Sequence, residues 1–130
     1  ISLMGMLFHG IVGQKKFMGI INQSDLEPLT KSLSLVAWHM FTIFLFGSAF
    51  TLAYVAYFPN YSIAAYPIIA VNLFGAFLFI FLGLGKHKHL LKMPGAYLMG
   101  ITALFAWLGI SWFKKTQSKF NYVLIKNIFL

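Results

Sequence analysis

Three long uncharged stretches dominate the pattern of apolar and polar positions along the chain. They cover residues 35–58, 66–85 and 95–113, and none of them contains Lys, Arg, Asp or Glu. An α-helix rises about 1.5 Å per residue, so about 20 apolar residues cross a hydrocarbon core that is about 30 Å thick. The pattern therefore predicts three membrane-spanning helices.

A fourth apolar stretch, residues 1–13, is shorter than a span and is followed closely by Lys15 and Lys16. We interpret it as the end of a first membrane helix. A signal peptide is the alternative, but there the charge precedes the apolar run and a small-residue cleavage site follows it. The expected fold is all-α, a membrane-spanning helical bundle that forms one domain over residues 1–130 and ends in a basic interfacial tail, residues 114–130.

The lysines predict how this bundle is oriented, because short cytoplasmic loops collect Lys and Arg. The connections after the first and third helices are expected inside, and the uncharged connection 59–65 is expected outside. This places the tail outside, although it carries four lysines. The inside lysines are Lys15, Lys16, Lys31, Lys86, Lys88 and Lys92.

Composition narrows the class of protein further. The chain is 60% hydrophobic and 9% charged, whereas soluble domains are about 25% charged. The net charge of +8 comes from ten basic residues that are all Lys, and without Arg the bidentate recognition typical of nucleic-acid binding is missing. We therefore expect the lysines to meet anionic lipid headgroups rather than nucleic acid. Cysteine is absent, which excludes thiol chemistry.

Asn72 is an amide deep within the third helix. Counted from the outer helix ends, it is level with Ser48 and Thr51 of the second helix. Polar side chains hold membrane helices together by hydrogen bonds. The sequence thus predicts a structural polar contact of Asn72 with these two hydroxyls.

The four histidines are the candidates for chemistry. His9 and His39 are expected at matched depth on facing helices, which is how a helical bundle holds the iron of haem b. His87 and His89 lie at the same membrane face and would complete a metal site with them. The alternative is that all four histidines serve packing and surface polarity, since no recognised metal-binding spacing is present.

Several short motifs resemble a family of small four-helix bacterial inner-membrane proteins of uncharacterised function. That family is characterised by His followed by Gly-Glu-Arg-Arg, then Asp-Leu-Pro, Ala-Trp-His and Gly-Arg-His. The resemblance covers about His9 to Gly109, and the chain differs in having Gln14 in place of Glu and Lys in place of Arg. It implies a four-helix topology and points to His9, His39 and His87. The motif positions, which include the Lys-for-Arg replacements, are occupied by His9, Gly10, Gly13, Lys15, Lys16, Asp25, Leu26, Pro28, Trp38, His39, Gly85, Lys86 and His87.

These observations favour a non-enzymatic protein, a subunit or accessory of a larger membrane complex or a homo-oligomer. Its expected partners are other membrane subunits or copies of itself. A haem- or metal-binding electron-transfer or sensor protein that uses His9 and His39 is the first alternative, and a small transporter is the second. The expected location is a bacterial inner membrane, with an organelle membrane as the alternative.

Overall fold

The computed structural model describes the backbone of residues 1–129 and the side chains of residues 1–120. Within this part of the chain there are four helices and no β-strand. Three of the helices are long and apolar enough to cross a membrane. The predicted all-α fold is confirmed, and the chain is an integral membrane protein.

The first helix, α1, consists of three consecutive pieces: Ser2–Leu7 is α-helical, Phe8–Met18 is π-helical, and Gly19–Gln23 is α-helical again. Helix α2 covers Pro28–Tyr57. A 3₁₀ turn, Pro59–Ala64, leads to α3, Ala65–Leu84. A second 3₁₀ turn, Lys88–Lys92, leads to α4, Pro94–Phe129.

Proline marks several of these boundaries. Pro28 and Pro94 open α2 and α4, where the missing N–H costs nothing because the first helical N–H groups have no partner within the helix. Helix α2 ends before Phe58, which has φ −125° and ψ 73° and precedes Pro59. A residue before proline is disfavoured in the helical region, so the chain leaves the helix at this point.

The helices are longer than the apolar stretches that predicted them. Helix α1 continues to Gln23 rather than ending near Gly13, and α2 begins at Pro28 rather than near residue 35. The connection expected over residues 17–34 is therefore only a short turn. Helix α4 continues without a break through the predicted tail, and the side chains of its last nine residues lie outside the described part. Lysine is a good helix former, so a basic stretch does not stop a helix.

The chain divides into two compact units, Ile1–Ala53 and Tyr54–Leu130. In the second unit, α3 and α4 pack closely through small residues. A Cβ added at Gly75 would overlap the Met99 side chain, and one added at Gly95 would lie 2.9 Å from the Phe79 ring. Such close approach is how apolar helices associate where no water drives them together.

Candidate functional site at His9

His9 makes a defined hydrogen bond within the first unit. Its Nδ1 lies 2.9 Å from Oγ1 of Thr42, and that hydroxyl donates to the carbonyl oxygen of Trp38 at 3.1 Å. A threonine hydroxyl has one proton, so with this proton directed to Trp38 its oxygen accepts from the Nδ1–H of His9. The other ring nitrogen, Nε2, therefore carries the lone pair.

The His9 ring also lies flat on an aromatic surface of α2. Its centroid is 3.8 Å from that of the Trp38 indole, with 15° between the planes, and it meets the edge of Phe41 at 5.0 Å. Phe17 packs on the same indole at 6.0 Å. Trp38 therefore lies at the centre of this packed cluster.

Two glycines allow the close approach of α1 to this cluster. A Cβ added at Gly13 would lie 2.7 Å from Cζ2 of Trp38, and one added at Gly10 would lie 3.3 Å from Cγ2 of Thr42. Both glycines belong to the π-helical piece of α1. π-Helical turns are uncommon and often occur at functional sites, so this segment is the strongest backbone pointer to a site in the molecule.

Two polar atoms beside the cluster have no hydrogen-bond partner in the described structure. They are Oε1 of Gln14 and Nε1 of Trp38, and both are buried. Buried polar atoms are nearly always paired. The sequence showed Gln14 only as a departure from a family motif, and no signal in it pointed to the Trp38 nitrogen.

The proposed haem pair is not favoured by this arrangement. His39 is exposed on α2, whereas the His9 ring is stacked directly on the neighbouring Trp38 and hydrogen-bonded to Thr42. Because Gly10 and Gly13 bring α1 against α2, the packing leaves no interval between these two helices for a porphyrin. The haem hypothesis stays a prediction without geometric support.

The remaining histidines form a pair at the turn between α3 and α4. The rings of His87 and His89 are 6.0 Å apart and nearly perpendicular. Among the described side chains, those of residues 1–120, no three of His, Asp or Glu are grouped so that they could hold a metal ion. The predicted metal site of His9, His39, His87 and His89 stays a prediction.

Asn72 is buried in the second unit. Its Nδ2 donates to the carbonyl oxygen of Ile68 in its own helix at 2.9 Å, so the amide finds an acceptor without another helix. Ser48 is buried and Thr51 is partly buried. Their expected contact with Asn72 stays a prediction.

Helix α4 is tied to α3 where its basic extension begins. Lys114 Nζ donates to the Tyr66 hydroxyl at 2.8 Å and lies 5.3 Å from the centre of that ring. Trp107 meets the same tyrosine at 6.3 Å. An aromatic ring and a lysine in contact at a helix end are typical of a membrane–water interface.

Comparison of the chain with protein-family models, with curated proteins and with solved structures found no match in any of the three. The class defined by the fold is that of small helical integral membrane proteins.

Proposed function

We propose that the chain is a non-enzymatic subunit or accessory protein of a larger membrane complex, or of a homo-oligomer, in a bacterial inner membrane. The observation that carries the proposal is the length of α4. This helix has 36 residues, which at about 1.5 Å per residue is nearly twice the thickness of a hydrocarbon core.

The part of α4 beyond the apolar stretch is a basic arm, which we define as residues 114–129. Lys115 and Lys119 are exposed on it, and Lys114 fixes its first turn to α3. A helix that projects from the bilayer with one sign of charge is suited to an acidic surface of another subunit or to anionic headgroups.

Photocrosslinking in native membranes tests this proposal. A photoreactive amino acid at Ser118, an exposed position of the basic arm, is expected to give discrete adducts with another polypeptide or with a second copy of the chain. The matched control is the same group at Phe74, an exposed apolar position of α3, which is expected to react with lipid.

A second variant tests whether charge carries the contact. Reversal of the exposed lysines in Lys115→Glu/Lys119→Glu is expected to abolish the Ser118 adducts and leave the protein in the membrane. Adducts that persist unchanged would show that the charge of the arm does not hold the partner. A chain that purifies as a monomer and forms no adduct at Ser118 would refute the proposed function.

A further inference from the structure

The turn between α3 and α4 concentrates basic side chains, all of them exposed. They are Lys86, His87, Lys88, His89 and Lys92. Both acids of the chain, Asp25 and Glu27, belong to the first unit, which has three lysines of its own. The second unit therefore has no acidic side chain that balances the charge of this turn, and the turn is suited to an anionic ligand.

The turn is fixed to the helices on both sides. Leu91 packs on Gly83 of α3 so closely that a Cβ added at Gly83 would lie 2.6 Å from Cγ of Leu91. The Tyr97 hydroxyl of α4 donates to the carbonyl oxygen of Leu91 at 3.1 Å. The backbone N–H of His87 donates to the carbonyl oxygen of Leu82 at 3.3 Å. The basic side chains are thus attached to an anchored backbone.

Three of these side chains are placed to act together. The rings of His87 and His89 are 6.0 Å apart. The segment Lys88–Lys92 is a 3₁₀ helix, in which side chains three positions apart eclipse each other, so Lys92 lies over His89. Imidazole and ammonium groups donate hydrogen bonds to phosphate oxygens. The three side chains can therefore meet on one phosphate group.

The surface beside this cluster is apolar. Phe81 and Leu84, in the last turn of α3, are 74% and 72% exposed. A ligand that covers both surfaces needs an anionic head and an apolar chain, which is the composition of a phospholipid. A free phosphate ion would leave the apolar side chains uncovered, and a metal cation would be repelled by the lysines.

We propose that the α3–α4 turn binds one anionic phospholipid. Its phosphate is held by His87, His89 and Lys92, and an acyl chain lies along Phe81 and Leu84. The other two lysines of the turn add attraction for the headgroup. This inference does not depend on the proposed function, which rests on the basic arm at the other end of α4.

Native mass spectrometry of the purified protein in detergent tests the site. Phosphatidylglycerol and phosphatidylcholine are titrated separately, and the dissociation constant of the first bound lipid is measured for each. We expect phosphatidylglycerol to bind about 10-fold more tightly, because its headgroup keeps the negative charge of the phosphate. Equal affinities would overturn the proposal. Displacement of the bound lipid by inorganic phosphate would show that the ligand is free phosphate, and would overturn the assignment to a lipid.

Substitution of the three phosphate-binding residues locates the site. The variant His87→Ala/His89→Ala/Lys92→Met is expected to lose the preference for phosphatidylglycerol. The control is Lys16→Met, which removes an exposed lysine of the first unit and should keep the preference of the wild type. A preference that survives the triple variant, or is lost equally in Lys16→Met, would exclude this turn as the site.

Leu91→Ala separates a fixed site from general attraction between lysines and anionic lipid. This variant keeps every charge and loosens the packing of the turn on Gly83, so the preference for phosphatidylglycerol is expected to fall. The helical circular dichroism signal shows that the variant remains folded. An unchanged preference in Leu91→Ala would mean that the anchored geometry plays no part, and would overturn the proposal.

Discussion

Gly13 is the residue whose size most directly decides the packing of the His9 cluster. In Gly13→Ala, the new methyl would lie 2.7 Å from Cζ2 of Trp38, and the stacked His9 ring hinders the indole from moving away. Overpacking of this kind costs about 1–3 kcal/mol. We expect the free energy of unfolding in mixed micelles, followed by the helical circular dichroism signal, to fall by that amount.

Gly19→Ala is the control for this change. Gly19 lies in the same helix, but nothing approaches within 4 Å of the position of its Cβ. Alanine is favoured over glycine within a helix by about 0.5–1 kcal/mol, so this variant should be slightly more stable than the wild type. If Gly13→Ala and Gly19→Ala changed the free energy of unfolding equally, the close packing of α1 on Trp38 would be contradicted.

Thr42 holds His9 in one tautomer. Thr42→Val removes the acceptor of the Nδ1–H and the donor to the Trp38 carbonyl, and hydrogen bonds between membrane helices contribute about 0.6 to 1.7 kcal/mol. We expect a loss of stability in this range, together with a change in the ¹⁵N shifts of the His9 ring. Thr42→Ser keeps the hydroxyl and should keep the ring shifts of the wild type. If Val and Ser gave the same shifts, the hydrogen bond would not define the tautomer.

Haem binding is tested by substitutions at His9 and His39. Because His9 is stacked on Trp38 and His39 is exposed, haem added to the purified protein should give the same spectrum with His39→Ala as with the wild type. A Soret band that is lost in both His9→Ala and His39→Ala would instead establish the axial pair, and with it a rearrangement of this cluster.

The sequence pointed to His9 but not to its partners. A histidine within an apolar stretch stands out in any sequence, because ionisable residues are costly there. The roles of Thr42 and Trp38 depend on how α1 and α2 approach each other, and the residues of α1 in this contact lie in its π-helical piece. No short-range pattern carries that information, since the contacts join residues about thirty positions apart.

At the scale of the helices, uncharged runs located all three long apolar helices but the ends of only some of them. Helix α3 begins and ends within one residue of its predicted limits, because a proline-containing turn and a glycine border it. Helix α4 extends far beyond its uncharged run, because lysines end an apolar stretch without ending a helix. The positions of the lysines thus predict where the membrane boundaries lie, but not where the helices end.

The contact between α3 and α4 is tested by a double-mutant cycle at Gly75 and Met99. Gly75→Ala places a methyl onto the Met99 side chain and should destabilise the protein by about 1 kcal/mol or more. In the Met99→Ala background the overlap is gone, so the same substitution should be neutral or stabilising. The expected coupling is about 0.5–3 kcal/mol. An equal effect of Gly75→Ala in both backgrounds would show that the two side chains do not meet.

At the scale of the whole molecule, the orientation in the membrane is the property on which the position of the basic arm depends. Two sets of lysines make opposite demands, because the positive-inside rule favours the cytoplasmic side for both. One set, expected inside, lies at the α1–α2 end and in the α3–α4 connection, and the other lies on α4. Helix α4 is continuous across its apolar stretch and the arm. If it crosses the bilayer, one of the two basic sets must therefore lie outside, and we expect it to be the arm.

Single cysteines introduced into this cysteine-free chain decide the matter. With a membrane-impermeant maleimide on intact cells, cysteines at the exposed positions Asn60 and Ser118 should react at once, whereas one at Lys88 should react only after permeabilisation. The unsubstituted chain is the blank. If the cysteines at positions 118 and 88 became reactive under the same condition, either in intact cells or only after permeabilisation, α4 would not cross the bilayer or the arm would fold back. If only the cysteine in place of Lys88 reacted in intact cells, the orientation of the bundle would be opposite to the expected one. The arm, and any partner bound to it, would then lie in the cytoplasm.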